Sequence, residues 1–110
     1  MPKVILTVVA TVDPAHEEEF NRWYNEEHAP QMLASHDGCV SAARYRNLDP
    51  GSDDQYIAVY EFVDEDSFKA FQDSPAKPRL VAEYDATQGA FSSRRATGYV
   101  QVWSDSGASG

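Results

Sequence analysis

Residues 3–12, KVILTVVATV, decide the fold. Val, Ile and Thr crowd this stretch, and branched side chains fit a pleated strand better than a helix. A strand sends alternate side chains to opposite faces. Here both sets are largely apolar: Val4, Leu6, Val8 and Ala10 on one, Ile5, Thr7, Val9 and Thr11 on the other. Such a strand belongs in the middle of a sheet, with both faces covered. Asp13-Pro14 ends it and opens a helix, with Asp13 suited to the N-cap and Pro14 to the first helical position, where no N–H is needed. Glu17, Glu18 and Glu19 follow near the positive end of the helix dipole.

Along that helix, at about 100° per residue, His16, Phe20, Trp23, Tyr24, Glu27 and Gln31 share one broad face. His28 lies at its edge, a turn below Tyr24. Pro30 disfavours helical geometry at Ala29 and removes a donor, so the helix is expected to kink or break beside His28. A further turn over 32–35 then ends at His36-Asp37-Gly38. Residues 39–46 read as a second strand, 49–54 (DPGSDD) as a turn and 55–63 as a third strand. That third strand carries Tyr56, Ala58, Tyr60 and Phe62 on one face and Ile57, Val59, Glu61 and Val63 on the other. Residues 64–72 form a short helix capped by Asp64, with Phe68 and Phe71 inward. Residues 74–78 break it, 79–85 add a helical turn or two, 90–95 connect, and 97–104 form a fourth strand. Residues 105–110, DSGASG, read as a disordered tail after a single domain over 1–104.

The order strand, helix, strand, strand, helix, strand predicts an α+β, ferredoxin-like βαββαβ fold: a four-stranded antiparallel sheet with two helices on one face. Strands one, three and four read as apolar on both faces. The face without helices then needs a cover, and a homodimer with stacked sheets is the economical one.

Composition narrows the functions. A net charge of −9 and a pI near 4.5 argue against nucleic-acid and anionic-membrane partners, which need clustered cations. One cysteine, Cys39, permits no intrachain disulfide and points to a reducing, cytoplasmic setting. The apolar N-terminal run reads as a strand rather than a signal peptide, and no run approaches the roughly 18 apolar residues of a membrane span. Glycine-rich phosphate loops, nucleophile elbows and zinc-ligand spacing are missing from the sequence.

The chain resembles the dimeric α/β-barrel superfamily, in its EthD-like branch of small stand-alone proteins. The residues that carry the resemblance are the start of the first strand, the run Phe20-x-x-Trp23-Tyr24-x-x-Glu27-His28-x-Pro30, the strand entry Gly38-x-x-x-Ala42-x-x-Tyr45, and Arg94-Arg95 with Tyr99-x-Gln101. The resemblance implies the ferredoxin-like fold, dimerisation through the sheets and a pocket between each sheet and its own helices. It does not imply one reaction, since the superfamily holds cofactor-free monooxygenases, polyketide cyclases, lyases, dehydratases and haem enzymes. The chain is half the size of the haem-bearing relatives, and no cofactor or metal is expected.

His28 is the leading catalytic candidate, because an ordinary imidazole exchanges protons near neutral pH. Glu27, expected to be partly buried with a raised pKa, would orient it or act as a base. Tyr24 or Tyr60 would donate to a developing oxyanion. Trp23, Phe20 and Tyr56 would form flat walls suited to a hydrophobic or aromatic molecule, and Arg44 would meet a carboxylate or phenolate. Cys39 has no basic neighbour in sequence and reads as inert. The set suits a cofactor-independent lyase, dehydratase, cyclase or isomerase acting on an aromatic, polyketide-like or apolar carbonyl compound. A cofactor-free monooxygenase and a non-catalytic ligand-binding accessory protein remain the alternatives.

Overall fold

The computed structural model describes residues 2–105. The strands are β1 (Val4–Val12), β2 (Cys39–Arg46), β3 (Tyr56–Phe62) and β4 (Ser92–Val100). They form one antiparallel sheet in the order β2-β3-β1-β4, so the doubly apolar β1 lies inside, as its alternation predicts. The helices are α1 (Glu17–Trp23), α2 (Ala29–Ala34), α3 (Glu65–Gln72) and α4 (Ala76–Thr87). The fold is ferredoxin-like. Among the described residues no helix is long and apolar enough to cross a membrane.

The core lies between the sheet and the helices. Val4, Leu6, Val8, Ala10 and Val12 of β1 are buried, as are Ala58, Tyr60 and Phe62 of β3. Phe20 and Phe62 are wholly inaccessible, and Phe62 packs against Phe68 and Phe71 of α3 at ring separations of 5.4 and 5.5 Å. Each buried aromatic of this kind contributes about 1.5–3 kcal/mol. On the opposite face Ile5, Thr7, Val9, Ile57 and Val59 are only half-buried.

Asp13 caps the helical segment as expected: its side chain accepts from Ala15 N–H, and Pro14 opens a 3₁₀ turn over Pro14–His16. The helix does not break beside His28, and the irregularity there is a change of helical pitch. Between α1 and α2 the chain makes a π turn, Tyr24–His28, in which the Ala29 N–H bonds the Tyr24 carbonyl five residues back. Pro30 falls in the first turn of α2, and the widened turn before it accommodates a residue that has no N–H.

Two further elements differ from expectation. Ser92–Val100 is the fourth strand, where 90–95 reads as a connector and 97–104 as the strand. All nine of its residues pair with β1, from Val12↔Ser92 to Val4↔Val100. A long, regular partner strand recruits Ser-Ser-Arg-Arg-Ala into the ladder although those residues have little strand preference of their own. The helix-side positions of β4 are therefore Ser92, Arg94, Ala96, Gly98 and Val100, and the strand is not apolar on both faces. Residues 101–105 lie outside any element, and the tail expected at 105–110 falls, apart from Asp105, outside the described residues. The second difference is α4, a full twelve residues rather than a turn or two. Pro78 does not stop it because the first-turn N–H groups have no intrahelical partner to lose.

The turn into β2 depends on Gly38. A Cβ there would run into the side chain of Ser67, whose N–H is tied to the Asp64 cap of α3. Gly38→Ala is expected to lower stability by about 1–3 kcal/mol, read as a shift in urea midpoint at unchanged m-value.

Candidate functional site

The π turn sets the site. Ideal helical spacing would carry the inward face from Phe20 and Tyr24 through Glu27 to Gln31. One extra residue in the turn moves it to His28 and Met32, both buried, and leaves Glu27 and Gln31 exposed. The burial on which the Glu27 expectation rests is thus absent. His28 is 2% exposed, stacked on Trp23 at 4.7 Å and edge-on to Tyr24 at 4.9 Å.

The partner of His28 is Arg94, not Glu27. Arg94 Nη1 lies 3.2 Å from His28 Nε2 and donates to the Tyr24 hydroxyl at 2.8 Å. Its guanidinium sits over the Tyr84 ring, 3.8 Å from the centroid. An arginine offers only donors, so Nε2 is the acceptor and the neutral ring carries its proton on Nδ1. Burial first, then the positive charges of Arg94 and Arg44, push the imidazole pKa down to about 3. His28 is therefore neutral at physiological pH, and the premise of an ordinary imidazole does not hold. Burial raises the hydroxyl pKa values of Tyr24 and Tyr60, so both phenols keep their protons.

Beside this cluster a cleft of about 570 Å³ runs between the β1–β4 side of the sheet and helices α3 and α4. His28, Tyr60 and Arg94 line it, with Leu6, Val8 and Leu80 among its apolar walls. His28 Nδ1 and the Tyr60 hydroxyl are buried donors with no hydrogen-bond partner among the described residues. Native proteins rarely leave such groups unpaired, and each costs about 1–3 kcal/mol when they do. Asp85 is the carboxylate on the cleft wall. Tyr84, one residue before it, bonds the Ser92 hydroxyl at 2.7 Å and joins α4 to the base of β4.

Of the residues singled out from sequence, His28 and Tyr60 line the cleft, Tyr24 reaches it through Arg94, and Trp23 backs His28. The others do not meet there. Phe20 is core. Tyr56 is engaged with Glu17 and Asn21, and Arg44 bonds Asn21 and Asn25 while stacking 4.4 Å from the Tyr24 centroid, outside the cleft. Arg94, Asp85 and Gln72 are among the wall residues that sequence reasoning did not place in the site. A four-residue spacing, Phe20-Tyr24-His28-Met32, was the available signal for the face that forms. Burial raises the Cys39 thiol to about 11, consistent with an inert residue.

Solved structures share this fold across nearly the whole chain. An EthD family protein from Bacillus halodurans aligns with a TM-score of 0.64 at 13% identity, over 88% of this chain and 97% of its own. A Dabb family protein with a ferredoxin-like fold from Mesorhizobium loti aligns at 0.65 and 21% identity, over 94% and 100%. SnoaB, a cofactor-independent oxygenase from Streptomyces nogalater, aligns at 0.62 and 20% identity, over 94% and 97%. These likenesses show the ferredoxin-like fold. No curated protein matches the chain. The family model that does match covers residues 3–93, from the first strand through α4 into β4, and by it the chain belongs to the domain of unknown function family DUF4286.

Proposed function

We propose that the protein is a cofactor-independent enzyme that binds a flat, largely apolar carbonyl compound in the cleft and stabilises its enolate. The observation that carries this reading is a cleft lined by three residues that can donate: Arg94 through its guanidinium, His28 through Nδ1–H and Tyr60 through its hydroxyl, the last two without a partner among the described residues. Donors fixed where charge develops, and shielded from water, stabilise an oxyanion strongly. Arg94 holds His28 in the Nδ1–H tautomer, so the imidazole serves as a neutral donor rather than a proton shuttle. Asp85 is the group to accept the proton. The C–H bond beside the carbonyl breaks, its proton passes to the Asp85 carboxylate, and its electron pair moves into the enolate.

Enolisation opens isomerisation, cyclisation and oxygenation alike. The likeness to SnoaB favours oxygenation: the enolate reacts with dioxygen, a CH₂ group becomes a carbonyl, and the second oxygen atom leaves as water. The test is deuterium exchange at the α-carbons of 2-tetralone in D₂O, followed by NMR. Acceleration over buffer supports the reading. Saturable binding of tetralone without acceleration identifies a ligand-binding accessory protein instead.

The chain also suits a homodimer with stacked sheets. Ile5, Val9, Ile57 and Val59 form an apolar patch on the face without helices, and similar solved structures include a dimeric ferredoxin-like protein from Thermobifida fusca. Sedimentation equilibrium at micromolar concentration is expected to give a dimer, and Val59→Lys a monomer. A monomeric wild type would remove the dimer from this reading.

A further inference from the structure

Gln72 is the last residue of α3 and lines the same cleft, yet no step above uses it. Its Oε1 is buried and has no hydrogen-bond partner among the described residues. It does not serve as a helix cap, because the end of α3 presents carbonyl oxygens and an amide oxygen adds another acceptor beside them. Such an oxygen is available to a donor from outside the chain.

The sheet register locates Gln72 within the cleft. Arg94 pairs with Ala10 near one end of β4, and Gly98 pairs with Leu6, which in turn pairs with Tyr60. Phe68 of α3 rests on Gly98, so closely that a Cβ there would lie 2.9 Å from its ring. Phe71, beside Gln72, packs on Phe62, the partner of Val4. Gln72 therefore belongs to the Gly98–Val4 end. Four residues of strand separate Gly98 from Arg94, about 13 Å at about 3.3 Å per residue. The cleft thus offers Arg94 and His28 as donors toward one end and the Gln72 acceptor at the α3 end, with Tyr60 and apolar side chains between.

We propose that Gln72 is a specificity-determining residue: its Oε1 accepts a hydrogen bond from a hydroxyl or N–H at the end of the ligand opposite the carbonyl. This rests on the carbonyl site proposed above. The ligand class narrows to elongated, multi-ring carbonyl compounds with a hydrogen-bond donor on the distal ring. Compounds lacking that donor leave Gln72 unpaired and are disfavoured.

The test uses naphthoates, whose carboxylate stands in for the carbonyl oxygen at the Arg94 end. Affinities of 6-hydroxy-2-naphthoate, 6-methoxy-2-naphthoate and 2-naphthoate are measured by fluorescence titration. The last two bracket the first in size and lack its donor. Wild type is expected to bind the hydroxy compound about tenfold tighter than either, the worth of one buried hydrogen bond. Gln72→Met is expected to erase that preference, so that the hydroxy compound binds no tighter than the other two. Equal affinities in wild type, or a preference that survives in Gln72→Met, overturn the assignment and leave the carbonyl site standing. Failure of all three compounds to bind wild type overturns the carbonyl site and the role of Gln72 with it. The wild-type comparison decides even if the variant folds poorly.

Discussion

Arg94→Met is expected to slow enolisation of a bound ketone by about 10²–10³-fold, the loss seen when one preorganised oxyanion donor is removed. Methionine keeps much of the side-chain length over the Tyr84 ring but has no donor and no charge. Three consequences converge on the site. The cation facing the developing oxyanion is gone. The Tyr24 hydroxyl loses its donor, and His28 Nε2 loses the bond that holds its proton on Nδ1. Unpaired buried groups also lower stability, by about 1–3 kcal/mol, so a slower reaction alone would not separate chemistry from unfolding. Two further readouts do. The circular dichroism spectrum is expected to be unchanged at the assay temperature. The His28 titration midpoint, followed by NMR, is expected to rise from about 3, because the Arg94 charge is second only to burial in depressing it. Arg94→Lys restores a charge but not the forked donor, and is expected to recover only part of the rate. A rate in Arg94→Met within a factor of about three of wild type, with the fold intact, would exclude an oxyanion role.

The second large effect concerns stability and pH. Folded His28 takes up its proton near pH 3, while in the unfolded chain it does so near pH 6.5. Between those values the unfolded state holds a proton that the folded state does not, so stability falls as the pH falls through that window. The slope is at most about 1.4 kcal/mol per pH unit, which puts the His28 contribution at about 2–3 kcal/mol between pH 7 and pH 4.5. In His28→Gln that contribution disappears. The variant is expected to be less stable at pH 7, where it lacks the stack on Trp23, but to lose less on acidification than wild type. Urea unfolding of both proteins at the two pH values measures the difference of differences, in which the carboxylates and the other two histidines cancel. Parallel losses in the two proteins would show that His28 is not held neutral in a buried site.

Much of the fold was legible because it rests on short-range patterns. The doubly apolar alternation of residues 3–12 placed β1 inside the sheet, and Asp13-Pro14 marked the start of the helical segment. Tyr56, Ala58, Tyr60 and Phe62 were read as one face of the third strand, and three of the four are buried in the core between sheet and helices. One further element obeyed a partner distant in sequence. β4 took its bounds from pairing with β1 rather than from its own residues. That shift carried Arg94 out of an expected connector and onto the helix side of the sheet, which is why the strongest charge in the site went unassigned.

The sequence by itself determined the architecture and the membership of the aromatic cluster, because hydrophobic periodicity and capping chemistry act over a few residues. Tertiary structure alone decided which side chains meet. A single π turn, set where Pro30 must be accommodated, rotates His28 inward and Glu27 outward, and a strand seventy residues further on brings Arg94 to within hydrogen-bonding distance of Tyr24. Burial and that imported charge then hold a neutral imidazole where an ordinary one was expected. A pKa depends on the dielectric and the charges that surround a group in three dimensions, and neither can be read from spacing along a helix.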